Sequence, residues 1–230
     1  METQRKGRVV GVNGNMVAVE FEVKVMQNEV AYVVVGEERL KAEVIRVKGI
    51  RADLQVFEDT HSIKVGQGVE FTNELLSIEL GPGIIGQIFD GLQNPLPQLA
   101  EKHGFFLKRG AYLSPLDENV QWKFTPAVKK GDRVKAGVKL GTVPEKMFQH
   151  FIMAPFHLTG DLEVVEIAAA GDYNINHVVA TLKDPQGREH KATMKQVWPV
   201  KVPIKAYAQK LKPTEPLVTK LRLIDTLVPV

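Results

Sequence analysis

The residues Val17, Val19, Phe21, Val23 and Val25 alternate with Ala18, Glu20, Glu22 and Lys24, and this period of two dictates a half-buried strand with one apolar face. An amphipathic strand cannot stand alone, because its apolar face and its unpaired edges both need partners. The neighbouring sequence offers them. Val30 to Val35 and Leu40 to Val47 read as strands, and Ala52, Leu54 and Val56 alternate with Asp53, Gln55 and Phe57. Asn13-Gly14, Gly36-Glu37 and Lys48-Gly49 supply the turns between them. Short strands at this spacing predict a small closed β-barrel over residues 5–75, since closure removes the edges.

Barrels of this size can bind oligonucleotides through stacked aromatic rings. Here the region holds only Phe21, Tyr32, Phe57 and Phe71, two of them on apolar stripes, so no stacking platform is expected. The net charge of +3 argues against nucleic acid or an anionic bilayer as a partner of the whole surface. Lys and Arg between Arg188 and Arg222 outnumber the acids, but without interleaved aromatics they read as a solvated connector. No cysteine is present, which excludes disulfides, thiolate metal sites and cysteine nucleophiles. The start METQRKGRVV has no apolar signal core, and no window approaches the roughly 20 apolar residues of a membrane helix.

The run Gly81 to Leu96, GPGIIGQIFDGLQNPL, spells G-x-G-x-x-G at Gly81, Gly83 and Gly86. A dinucleotide site of that form needs a full helix after the glycines, and Gly91 and Pro95 interrupt any helix begun at Ile84. No G-x-x-x-x-G-K-[ST] run occurs, so a P-loop is lacking in these residues. His150 and His157 stand seven apart with Pro155 between them, which is not metal-ligand spacing. Asp161, Glu163, Glu37 and Glu38 read as solvated carboxylates, and no serine sits in a nucleophile elbow.

After Pro97 a second β-rich segment carries Trp122, Phe124 and Phe151 as core aromatics, with turns at Gly131, Gly137, Gly141 and Gly160. Residues 105–198 are expected to form an inserted flattened β-sandwich. Its pattern KKGDRVKAG, then Leu140 to Val143, Glu145-Lys146-Met147 and Ala154-Pro155, is similar to biotinyl and lipoyl carrier domains, whose modified lysine stands on a hairpin tip. Lys146 is the candidate. Glu145 before it matches neither the methionine of biotinyl sites nor the aspartate of lipoyl sites, and Lys146 is expected to be unmodified. Beyond Trp198, Pro199, Pro203, Pro213 and Pro216 predict an extended connector, and Leu217, Leu221, Ile224 and Val228 a helix begun at Pro216 and stopped at Pro229.

In order along the chain, Gly7-Arg-Val-Val-Gly11, Leu76 to Gly83, Gly86 to Gly91, Trp122 to Pro126, Gly171-Asp-Tyr173, Met194 to Val200 and Leu223 to Leu227 resemble the N-terminal part of the catalytic A subunits of V/A-type rotary ATPases. Asn15 and Asn94 depart from that pattern, which usually has proline and arginine there. The resemblance implies an N-terminal β-barrel (1–75), a crossing segment (76–104), an inserted barrel-sandwich bulge domain (105–198), and a connector into an α/β nucleotide-binding domain (199–230). It assigns Gly81, Pro82, Gly83, Gly86, Phe89, Asp90 and Gly91 to the structural crossing motif, and places the P-loop after Val230. It implies no cofactor and no catalysis in these residues alone, Mg-ATP in the full-length subunit, and hydrolysis or synthesis coupled to proton or sodium movement. The partners implied are B subunits in the ring, a central shaft, and a peripheral stalk reached through the inserted domain. The implied location is cytoplasmic, peripheral to the membrane.

Overall fold

The computed structural model describes residues 5–104, 106, 108–207, 209–212 and 214–228. Pro213 of the expected connector and Pro229, the expected helix stop, lie outside them. Six strands, β1 (Lys6–Asn13), β2 (Met16–Phe21), β3 (Glu29–Val35), β4 (Glu38–Lys48), β5 (Arg51–Val56) and β6 (Gly68–Leu75), close into a barrel in the order β1-β2-β5-β4-β3-β6, each antiparallel to its neighbours. Alternation decides which side chains enter it. Val17, Val19, Val33, Leu40, Val44, Leu54 and Val69 are fully buried, while the residues between them face outward. Each such side chain contributes about 1.5–3 kcal/mol when withdrawn from water.

Register shifts at Val9/Gly11, Glu29/Ala31 and Val44/Arg46 bend the strands enough to close so small a barrel. Gly7 is fixed by close approach, since a Cβ there would stand 2.9 Å from both the Glu20 carbonyl oxygen and the Phe71 ring. Strand β2 ends at Phe21, four residues short of the alternation, and Val23 and Val25 pack on the core from an irregular segment. The cause is Glu29. Its buried carboxylate pairs with Arg5 at 2.8 Å and accepts the Met26 amide at 2.8 Å, while Arg5 also grips the Lys24 carbonyl, so the chain is pulled out of the ladder.

A short strand, β7 (Ser77–Leu80), leaves the barrel, followed by the glycine run and a helix, α1 (Leu96–His103). No helix was expected here. Pro95, which argued against a helix begun at Ile84, stands at the N-cap of this one with Pro97 in the first turn, and Gly104 ends it at φ 81°.

Residues 122–193 form two four-stranded sheets. The first has the order β11-β10-β8-β13, from β8 (Trp122–Pro126), β10 (Lys139–Glu145), β11 (Phe148–Met153) and β13 (Gly171–Tyr173). The second has the order β15-β14-β12-β9, from β9 (Arg133–Val134), β12 (Leu162–Ile167), β14 (Val178–Lys183) and β15 (Glu189–Thr193). Both core clusters draw residues from both sheets: Phe124, Val143 and Ile152 meet Val179, and Leu140 meets Leu162, Val164 and Leu182. The sheets therefore pack as a sandwich, and the mainly β reading of barrel plus sandwich holds. Gly141 leaves room for the Phe124 ring beside it in the same sheet, because a Cβ on it would fall on that ring and 2.8 Å from the Thr125 carbonyl oxygen of the paired strand β8. Of the three core aromatics expected, Phe124 is fully buried and Trp122 packs beside it. Phe151 does not belong there: it lies on the outer face of an edge strand, 50% exposed.

The chain then returns to where it left. Strand β16 (Gln196–Pro199) pairs with β7, Gln196 opposite Leu80 and Pro199 opposite Ser77. The helix expected from Pro216 forms only as α2 (Arg222–Leu227). Asp225 explains the late start: its carboxylate accepts the Thr219 amide and hydroxyl and the Lys220 amide at 2.9, 2.7 and 3.0 Å, with Lys220 at φ 64°, which holds the preceding residues in a turn. Among the described residues no helix is long and apolar enough to cross a membrane.

Candidate functional site

The glycine run sits where β7, β16 and the sandwich meet, and each of its expected residues has a distinct place. Gly81 and Pro82 are buried; a Cβ on Gly81 would come within 3.2 Å of Leu116 and of the Lys195 backbone. Gly83 and Gly86 have φ of 103° and 75°, conformations that only glycine holds without strain. This twisting turns the amides of Gly83 and Ile85 to one side. A dinucleotide site would use such amides for a pyrophosphate on a helix N-terminus. Here no helix follows Gly86, and both amides donate to one carboxylate oxygen, Glu145 Oε1, at 2.8 and 3.0 Å.

Glu145 is the residue that the sequence reading passed over, naming it only as the neighbour of Lys146. It ends β10 with 3% of its surface exposed, and its second oxygen accepts His150 Nδ1–H at 2.6 Å from β11. A buried carboxylate is tolerable only when its oxygens are hydrogen-bonded, and here three donors serve both of them. The signal was present in the pattern. Gly141, Val143 and Glu145 share the inward-facing stripe of β10, so a carboxylate stood at a position that alternation assigns to the interior.

Lys146 and Met147 form the two-residue turn beyond it, Lys146 at φ 53° with its ammonium over Gly86, where a Cβ would strike it. The hairpin tip thus stands on the glycine loop. Between them lies a pocket of about 270 Å³ lined by Gly83, Gln87, Gln98, Asp117, Trp122 and Lys146 among others.

The second half of the run is a turn built on Asp90. Its carboxylate accepts the amides of Leu92 and Asn94 at 2.9 and 2.7 Å and the Asn94 side-chain amide at 2.8 Å. Asn94, where the family pattern has arginine, is buried, and its oxygen accepts the Leu113 amide at 3.2 Å. Phe89 bridges to Pro95, and Gly91 faces open space. Gln93 ties the turn back to β7, exchanging bonds with the Glu79 amide and carbonyl at 2.7 and 2.6 Å.

Residues 108–113 lie against the barrel. The Tyr112 hydroxyl donates to Glu58 and accepts the Lys41 amide at 2.8 Å, Arg109 pairs with Glu38, and the Gly110 amide donates to Glu58 at 2.5 Å. Burial and the adjacent Glu58 hold the Tyr112 hydroxyl well above the usual phenol range. The carboxylates read as solvated therefore divide: Asp161 faces Lys135 in the open, while Glu38 is a barrel anchor. The basic residues of the C-terminal third do not make a stripe. Lys195 lies between Glu79 and Glu118, and Lys201 reaches Glu43 at 2.7 Å. Among the described residues no group of three or more His, Asp or Glu side chains is placed to hold a metal ion.

A closed barrel, a clasped glycine loop and an inserted sandwich returning to the strand beside its departure are a combination matched by two family models. Residues 9–73 match the β-barrel domain of the ATP synthase alpha/beta family, and residues 113–201 the barrel-sandwich domain of ATP synthase alpha/beta subunits. The chain belongs to the ATP synthase alpha/beta family. More particularly, it is similar over nearly its whole length to V-type ATP synthase alpha chains: 58% identical to alpha chain 1 of Treponema pallidum over 99% of this chain, 54% to that of Treponema denticola over 99%, and 52% to that of Borreliella afzelii over 98%. In each case it spans 39% of the relative's length.

Proposed function

We propose that these residues are the N-terminal part of the catalytic subunit of a V/A-type rotary ATPase, and that their own work is assembly rather than chemistry. The observation that carries this is the pairing of β7 with β16. It brings the two ends of the sandwich together beside the barrel, so that one body can join a ring while the other stands out from it. In this reading the barrel, residues 1–75, contacts B subunits at the crown. The crossing segment 76–104 and the connector 199–230 lead into the nucleotide-binding domain, where Mg-ATP is bound and a central shaft is turned. The inserted domain, 105–198, projects to the peripheral stalk. The complex is peripheral to a membrane on its cytoplasmic side.

The glycine loop fits this division. Its amides are filled by Glu145 and do not await a phosphate, so the loop positions the inserted domain against the chain that leaves the barrel. The test is made in the full-length subunit, with residues 117–193 replaced by a short flexible linker and mixed with B subunits and stalk subunits. Rings form and stalk binding is lost if the division is right; failure to form rings contradicts it.

A second reading has one observation in its favour. Lys146 occupies a two-residue hairpin tip, the place of the modified lysine in carrier domains. Against it, the tip is docked on the glycine loop through Glu145 rather than free to swing. An intact-mass measurement decides: an unmodified mass supports the assembly reading, and a biotinyl or lipoyl adduct on Lys146 the carrier.

A further inference from the structure

The sandwich has four sheet edges, and they are not alike. Among the described residues, β13 is three residues long, β9 is two, and β15 carries Glu189, His190 and Lys191. Short or charged strands are how sheet edges are kept from pairing with other chains. Strand β11, Phe148-Gln-His-Phe-Ile-Met153, is six residues long, contains no proline, and its one ionisable side chain, His150, is turned inward to Glu145. Phe148 is 53% exposed, Phe151 50%, and Met147 at the tip 87%.

The hairpin register defines what this edge offers. Glu145 and Phe148 flank the two-residue turn and pair with each other, so Phe148, His150 and Ile152 direct their backbone groups at β10, and Gln149 and Phe151 direct theirs outward. At the far end the Met153 carbonyl is already capped by the Gln196 side chain at 3.1 Å. The open stretch is therefore Gln149 to Phe151. The charged residues of the hairpin itself are Lys139, whose ammonium lies 4.9 Å from the Phe151 ring centroid, Lys146, and the buried Glu145, whose oxygens are all engaged.

We infer that β11 is a docking edge that receives an extended, apolar segment of a protein partner, flanked by acidic residues, as an added strand. Backbone bonds to Gln149 and Phe151 supply the pairing, Phe151 and Met147 cover the partner's apolar side chains, and Lys139 and Lys146 meet its carboxylates. This deepens the proposed stalk contact of the inserted domain and rests on it for the partner's identity alone.

The probe is a fluorescent peptide, acetyl-Glu-Glu-Val-Thr-Val-Thr-Val-Glu-Glu-amide, titrated into this chain by anisotropy, with amide hydrogen exchange as a second readout. Binding at least ten-fold tighter than a Lys-flanked version is expected, with new protection at Gln149 and Phe151. Phe151→Pro removes the outward N–H while leaving the β10 ladder intact, and is expected to weaken binding at least ten-fold with an unchanged melting midpoint. The double variant K139E/K146E, which leaves the backbone edge untouched, is expected to reverse the charge preference. Absence of binding, equal binding by wild type and both variants, or a dimer of this chain that Phe151→Pro abolishes overturns the inference. No stalk component enters the measurement, so its failure removes the edge and leaves the stalk reading to its own test.

Discussion

The Glu145 carboxylate stands 2.8 Å from the Gly83 amide nitrogen, joining the tip of an inserted hairpin to the loop that leaves the barrel. Because Ile85 and His150 donate to the same group, Glu145→Ala leaves three donors unpaired in a buried space. The expected cost is about 3 kcal/mol in urea denaturation of the sandwich transition. Glu145→Gln keeps the shape and replaces charge-assisted bonds with weaker ones, and is expected to lose about half as much. Equal, negligible losses in both variants contradict the clasp.

The two bodies are expected to respond separately to added volume. Gly7→Ala places a Cβ within 3 Å of Val19, the Glu20 carbonyl and Phe71, and Gly141→Ala on Phe124. Each should destabilise its own body by about 3 kcal/mol, the upper range for overpacking, because a carbonyl oxygen as well as a ring stands in the way. Calorimetry checks this through two transitions: the first variant lowers the barrel transition alone, the second the sandwich transition alone.

Acid should loosen the β14–β15 hairpin. Asp184, between those strands, accepts His190 Nε2–H at 3.0 Å, and the Arg188 amide and guanidinium at 2.9 and 2.8 Å, and these hold its carboxyl well below the usual carboxylate range. A group depressed in the fold stabilises it above the unfolded pKa of about 3.9 and loses that contribution as pH falls further. Protection of the Gly187 and Arg188 amides, taken as the intrinsic over the observed exchange rate at each pH, is expected to fall below pH 4 in the wild type and to be low at every pH in Asp184→Ala.

Mg-ATP titrated calorimetrically into this chain should give no micromolar binding. The loop amides that most resemble a phosphate cradle are occupied by Glu145, and the sequence holds no P-loop pattern. Saturable binding in that range contradicts the non-catalytic assignment.

What the sequence made legible was what alternation controls. Val17, Val19, Leu54 and Val56 fall in the barrel core because a period of two leaves a strand one choice of face. Phe151 was misplaced because aromatic character alone does not give parity: one residue from Ile152, it takes the opposite face. Strand β2 was drawn too long because Glu29 and Arg5 meet only in three dimensions, and α1 was missed because Pro95, read as an interruption, stands at its N-terminal end. In the site, the glycines and Asp90 were found from their motif, whereas Glu145 lies more than fifty residues away in the chain and is joined to them by folding.

The most direct test of two bodies with two tasks is to replace residues 117–193 of this chain by a short glycine-serine linker. This range keeps Tyr112 on Glu58, Asn94 under Leu113 and β7 beside β16. The account predicts one remaining cooperative melting transition, with the barrel midpoint within about 3 °C of its value in the intact chain, a shift of roughly 1 kcal/mol. Loss of that cooperative transition shows instead that barrel and sandwich share one fold and contradicts the division.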